Sequence, residues 1–267
     1  MAMNRKKFFS CGKTGRRLLI VSPHFDDGVL SAGGMIAQLA RSGTAITVAT
    51  VFSAPPDGPL SASAEAFHER CGLGVDAMSQ RAAEDREACH RLGAEPVHLG
   101  LHEALYRRRK DGDPQYDEGS AIFGADADAE LTVIDQAAEL IGALVVGLDP
   151  ELVLAPLGVG AHIDHVIVGS AMRRMGMPGD RVCWFEDLPY ALYRHLEGWE
   201  QHLTADLLPM PVAIDERAWQ SKIAAITSYQ SQLSVLWYDE APWHSQLRDY
   251  AVTLGADGPV ERLWVTT

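Results

Sequence analysis

From residue 17 onward, short apolar runs alternate with longer stretches in which apolar positions recur at helical spacing. RLLIVS (17–22), AITVATVF (45–52), PVHLGL (96–101), ELVLAPL (151–157) and RVCWFEDLP (181–189) have the length and β-branched content of buried strands. Between them VLSAGGMIAQLARSG (29–43), SQRAAEDREACHRLG (79–93), ADAELTVIDQAAELIGALVVGLDP (127–150) and HIDHVIVGSAMRRMG (162–176) read as helices. Gly43, Gly93 and the Asp149-Pro150 pair supply the stops. Strands that alternate with helices predict βαβ units: a Rossmann-like, mostly parallel sheet with helices on both faces. From about residue 190 the pattern loosens, with one further helix expected over DERAWQSKIAAITSYQSQL (215–233). No linker divides the chain, so we expect a basic tail at 1–16 and a single α/β domain at 17–267. A loop expected at 53–78, rich in Pro, Gly and Ser, follows the second strand and should border the functional edge of the sheet.

Composition narrows the partners. The 267 residues carry a formal net charge of −13, which argues against nucleic acid, because phosphate binding needs a basic face. Four scattered cysteines without a CxxC pair suggest free thiols in a reducing, cytoplasmic setting. The basic start lacks the apolar core of a secretory signal, and no apolar run is expected to span a membrane. Its GKT imitates the end of a phosphate-binding loop, but the first glycine of that motif would fall on Lys7, and no strand precedes it.

Chemistry gathers at two strand ends. SPHFDDG (22–28) follows the first strand, and PLGVGAHIDH (156–165) leads from the fourth strand into a helix. Taken singly, each has a bland reading. An Asp pair favours the first turn of any helix, and a surface helix can carry HxDH idly. In an open parallel sheet, however, both segments emerge at one edge, beyond the carboxyl ends of the strands, where ligands bind. Adjacent carboxylates repel, and a divalent cation held by His and Asp would relieve that repulsion.

These residues resemble the two signatures of the LmbE-like, or PIG-L, zinc-dependent N-deacetylases of N-acetylglucosaminyl compounds. RAAEDREACHRLGA, LGLHEALYR, WFEDLPYA and KIAAITSYQSQL extend the resemblance over most of residues 17–236. It implies one Zn2+ per chain on His24, Asp27 and His165, with a fourth position left for water. It implies Asp26 as general base, His162 as general acid or oxyanion stabiliser, and Asp164 as the orienter of a histidine. Arg81 and Glu103 are candidates for sugar hydroxyls, and Glu186 and Asp187 for the pocket wall.

The chain departs from the family pattern in three places. Gly28 stands where many members have glutamate, and Glu103 where relatives often have aspartate. Gly160 stands where some members have a tyrosine that helps to bind the oxyanion. The expected partner is a small-molecule N-acyl amino sugar or glycoconjugate, met by a chain that can form a homo-oligomer. The alternatives are an amidase acting on a thiol or other sugar conjugate, and a non-catalytic sugar- or nucleotide-binding protein with an acidic Mg2+ site. Its histidines argue against the last, since magnesium prefers oxygen ligands.

Overall fold

The computed structural model describes residues 8–9, 15–74, 76–116, 118–193, 196, 198–237, 242–255 and 257–266. The basic segment at 1–16 lies almost wholly outside them. The first half alternates as expected: β1 (Arg17–Ser22), α1 (Asp27–Arg41), β2 (Ala45–Phe52), α2 (Ala62–Arg70), α3 (Ala77–Leu92) and β3 (Glu95–Leu101). Then follow α4 (Leu131–Leu148), β4 (Leu152–Pro156), α5 (Ile163–Arg174) and β5 (Val182–Phe185). The remainder holds α6 (Trp199–Leu203), β6 (Leu207–Ala213), α7 (Glu216–Ile226), α8 (Gln230–Leu236), α9 (Trp243–Thr253) and β7 (Val260–Thr266).

The seven strands lie in the order β3-β2-β1-β4-β5-β7-β6. β1 to β5 pair in parallel, whereas β7 runs antiparallel to both β5 and β6. Alternation along β1 explains its unbroken apolar run. Leu18 and Ile20 pack under α1, α3 and α7, while Leu19 and Val21 pack under α4 and α5. The strand order reverses between β1 and β4, and the crevice beyond their carboxyl ends is the usual ligand site of such sheets. Both polar segments open there.

Several expectations need correction. The segment 53–78 is not all loop: Ser61 Oγ accepts from Ala64 N at 3.2 Å and starts α2, and α3 begins at Ala77, two residues before the expected start at Ser79. The helix expected over 215–233 is two, broken at 227–229, which turns the Tyr229 side chain into the core. β6 and β7 went unseen because Pro209 and Pro211 disguise an edge strand, where a missing N–H costs little. Residues 127–148, a short 3-10 turn followed by α4, are long and apolar enough by composition to cross a membrane, contrary to expectation. Charged positions scattered along the stretch break it into short runs; Ile134, Ala137 and Ile141 pack inward.

The far strand reaches back to the first helix. Glu261 on β7 accepts from Gly34 N at 2.8 Å and Met35 N at 2.7 Å within α1, and pairs with buried Lys222 at 2.7 Å.

Candidate active site

β1 ends on Ser22, whose Oγ donates to His24 O and accepts from Gly28 N at 2.8 Å, fixing the turn between them. A Cβ at position 28 would stand 3.2 Å from Ile20 Cγ2 and 3.3 Å from Ser22 Oγ, so any side chain there would need these neighbours to give by a few tenths of an ångström. From the neighbouring strand, Gly158 (φ 95°), Gly160 (φ 86°) and Ala161 (φ 53°) bend the chain into α5 with left-handed backbone. His162 caps that helix, its Nδ1 accepting from Asp164 N at 3.2 Å.

The two segments meet side by side. Asp27 Oδ2 lies 3.1 Å from His24 Nδ1 and 3.3 Å from His165 Nε2. Behind each ring stands a carboxylate. His24 Nε2 lies 3.0 Å from Asp164 Oδ2, and His165 Nδ1 lies 2.7 Å from Asp187 Oδ1. Burial alone would lower both imidazoles, but these carboxylates outweigh it. They raise His24 well above its ordinary value and His165 to about 9. Asp27, which burial would raise, is held well below its usual range by His165 and His24. The arrangement is a field that favours a cation at its centre.

The residues present fit a metal. His165 Nε2 is buried with no hydrogen-bond partner, although Asp27 Oδ2 is near it; the contact is close enough to share a cation but misaligned for a hydrogen bond. His24, Asp27 and His165 form a buried group whose ligand atoms lie within 4.8 Å of one another. Two imidazoles and one carboxylate suit a borderline metal better than magnesium. A second group, His24, His162 and Asp164, meets the same distance criterion. There Asp164 is already engaged: Oδ1 takes Arg107 Nη1 at 2.6 Å and Oδ2 takes Ala104 N at 2.9 Å, so a cation would face a guanidinium.

Asp26 is 4% exposed and belongs to neither of these groups. Burial, then the adjacent Asp27 charge, raises it to about 6, against the pull of Arg81 and His24. It lines a cavity of about 560 Å³ together with His24, Asp27, His162, Arg81 and Glu103. Arg81, itself buried, donates from Nη1 to Glu103 Oε1 at 2.6 Å, and its Nε is buried without a partner. The segment expected to border the functional edge does so, because α2 brings Ser63, Phe67 and Arg70 to the cavity.

Two expected wall residues are elsewhere. Asp187 is wholly buried behind His165, its other oxygen accepting from Gly158 N at 2.7 Å and Val159 N at 2.9 Å. Glu186, just past the end of β5, turns away to accept from Trp264 Nε1 at 2.8 Å and to pair with Arg262. The residues missed are Arg107, Glu130 and Tyr190. Arg107 bridges Asp164 to buried Glu130 at 3.0 Å, and its sole sequence signal was the final letter of LGLHEALYR. Tyr190 occupies the space a side chain at 160 would take, its Cγ 2.7 Å from where a Cβ would be. Its ring meets His165 edge-on at 5.4 Å, and its hydroxyl has no hydrogen-bond partner among the described residues.

Known proteins resemble this chain in sequence and in fold. The family model described as PIG-L, GlcNAc-PI de-N-acetylase, matches residues 19–175. The 2'-N-acetylparomamine deacetylase of Streptomyces fradiae is 31% identical over 81% of this chain and 73% of its own length. The enzyme of the same description from Niallia circulans is 27% identical over 85% of this chain and 84% of its own. A crystal structure of the zinc-inhibited form of teicoplanin deacetylase superposes with a TM-score of 0.84 at 28% identity, covering 94% of this chain and 98% of the other.

Proposed function

The chain belongs to the PIG-L family, and from that premise we propose that it hydrolyses the N-acetyl group of an amino sugar held in a glycoside, with zinc on His24, Asp27 and His165. The observation that carries the reading is the position of Asp26. It is a buried carboxyl that lines the same cavity as His24 and Asp27 but is not part of the metal-capable group. A bound metal of this kind polarises the amide carbonyl and lowers the pKa of water toward about 7.

The chain's own residues do the rest. Asp26, raised toward neutrality, takes the proton of the attacking water and delivers it to the departing nitrogen as the C–N bond breaks, leaving acetate and a free amine. His162 accepts a backbone N–H at Nδ1, so its single proton sits on Nε2; an imidazolium would set N–H against N–H. It therefore serves as a neutral donor to the developing oxyanion rather than as the acid. Asp164 and Asp187 hold His24 and His165 in orientation, and Arg81 with Glu103 offers donors and acceptors to sugar hydroxyls. Buried Cys71 and Cys89, neither in a disulfide, suit a reducing compartment such as the cytoplasm.

The test is release of free amine and acetate from N-acetyl amino sugar glycosides by zinc-loaded protein. Turnover that disappears with chelation and returns with zinc is expected; a full panel without turnover, at verified metal content, would overturn the reading.

A further inference from the structure

The cavity has two unlike halves. Its charged floor holds His24, Asp26, Arg81 and Glu103, but much of the rest is apolar. Phe67 comes from α2, Leu105 from the turn after β3, Ile122 and Phe123 from the segment before α4, and Val235 and Leu236 from α8. Phe123 is 45% exposed, although its ring meets His162 edge-on at 5.2 Å. A lone exposed apolar side chain means nothing, but six from four separate segments converge on one space. That space is continuous with the catalytic floor, so whatever presents an amide to Asp26 must place its remainder against these walls. About 560 Å³ lies within the range of pockets for drug-sized ligands, roughly 300–1,000 Å³. A single sugar ring leaves much of it unfilled.

We infer that these six side chains form a subsite for an apolar aglycone: the substrate is an N-acetyl amino sugar whose glycosidic partner presents an aromatic or aliphatic face. The inference rests on the deacetylase reading. An acetyl group is too small to occupy the apolar half, so the apolar part of the substrate lies on the glycosidic side. Aromatic aglycones gain further from edge contacts with Phe67 and Phe123.

The experiment compares methyl, hexyl and naphthyl glycosides of N-acetylglucosamine on the zinc-loaded protein. We expect KM to fall at least tenfold from methyl to hexyl or naphthyl, with kcat within about threefold. In Phe67→Ala and Leu236→Asn the naphthyl-to-methyl ratio of kcat/KM should collapse toward one. Equal KM values across the series in the unaltered protein would overturn the subsite. So would a gain seen with methyl N-hexanoylglucosaminide and not with hexyl N-acetylglucosaminide, which would assign the walls to the acyl chain. Calorimetric binding of the same glycosides to zinc-loaded Asp26→Asn reads the subsite without turnover. Preference for naphthyl there, with no hydrolysis by the unaltered protein, would keep the subsite and sink the deacetylase. Equal affinities would sink the subsite whatever the chemistry.

Discussion

Asp187 and His165, both fully buried, are joined at 2.7 Å through Oδ1 and Nδ1, so the Nε2 of His165 is aimed at Asp27 by a carboxylate outside the cavity. Removing such a partner typically costs about 10–100-fold in metal affinity. We expect Asp187→Asn to weaken zinc binding by roughly that factor, read by competition with a chromophoric chelator. An unchanged affinity would reduce Asp187 to a cap for the Gly158 and Val159 amides.

Adjacent carboxylates should fail differently. Asp26→Asn keeps shape but accepts no proton, so kcat should drop about 10²–10⁴-fold with the metal retained. Asp27→Asn removes a charged ligand, so metal content should fall and added zinc should partly restore activity. Metal analysis and kcat, measured on both variants together, decide; the opposite pattern would exchange the two roles.

Chelation should also lower thermal stability, because a ligand bound to the folded state alone stabilises it by about 2.7 kcal/mol at a hundredfold excess over Kd. Calorimetry with and without chelator checks this. The shift should shrink sharply in His24→Ala and His165→Ala; an undiminished shift in both would remove those residues from the ligand set.

Gly160 and Gly158 provide a matched pair. Each has a left-handed backbone that costs an alanine about 1–2 kcal/mol, but a Cβ at 158 has Val166 Cγ2 no nearer than 3.9 Å, whereas one at 160 strikes Tyr190 at 2.7 Å. Gly160→Ala should therefore lose more stability than Gly158→Ala and should also displace Tyr190 from the cavity wall. Urea denaturation and tyrosine-sensitive near-ultraviolet dichroism distinguish them; equal losses with unchanged spectra would contradict the contact.

The wall helix α2 depends on its cap. Ser61→Ala deletes the Oγ that accepts Ala64 N and should cost about 1 kcal/mol. Because α2 carries Phe67, amide exchange along 62–70 should speed up while KM rises more than kcat falls. A uniform loss of kcat instead would place α2 in the chemistry.

Periodicity made the parallel half of the sheet legible, since β1, β2, β4 and β5 are mostly buried and read as continuous apolar runs, with half-buried β3 at the edge. Both polar segments were legible for a related reason: each interrupts such a run at the switch point of the sheet. β6 and β7 were not, because two prolines interrupt the apolar run of β6 and Glu261 and Arg262 that of β7. Glu186 and Asp187 were assigned to one wall as neighbours in sequence, but past the end of β5 Glu186 bonds Trp264 while Asp187 turns behind His165. Arg107 and Glu130 act through Asp164, and a buried relay has no spacing that a sequence displays. Tyr190 was invisible for another reason: its place opposite Gly160 arises from two loops 30 residues apart.

The grip of Glu261 on the amides of Gly34 and Met35 has a consequence in time. Gly34, in the helix that opens at Asp27, is pinned by a residue 227 positions later. A ribosome thus delivers every strand up to β6 before that pin exists. Closing so long a loop is slow compared with local helix formation. During synthesis both polar motifs therefore emerge well before the residue that pins the helix one of them opens.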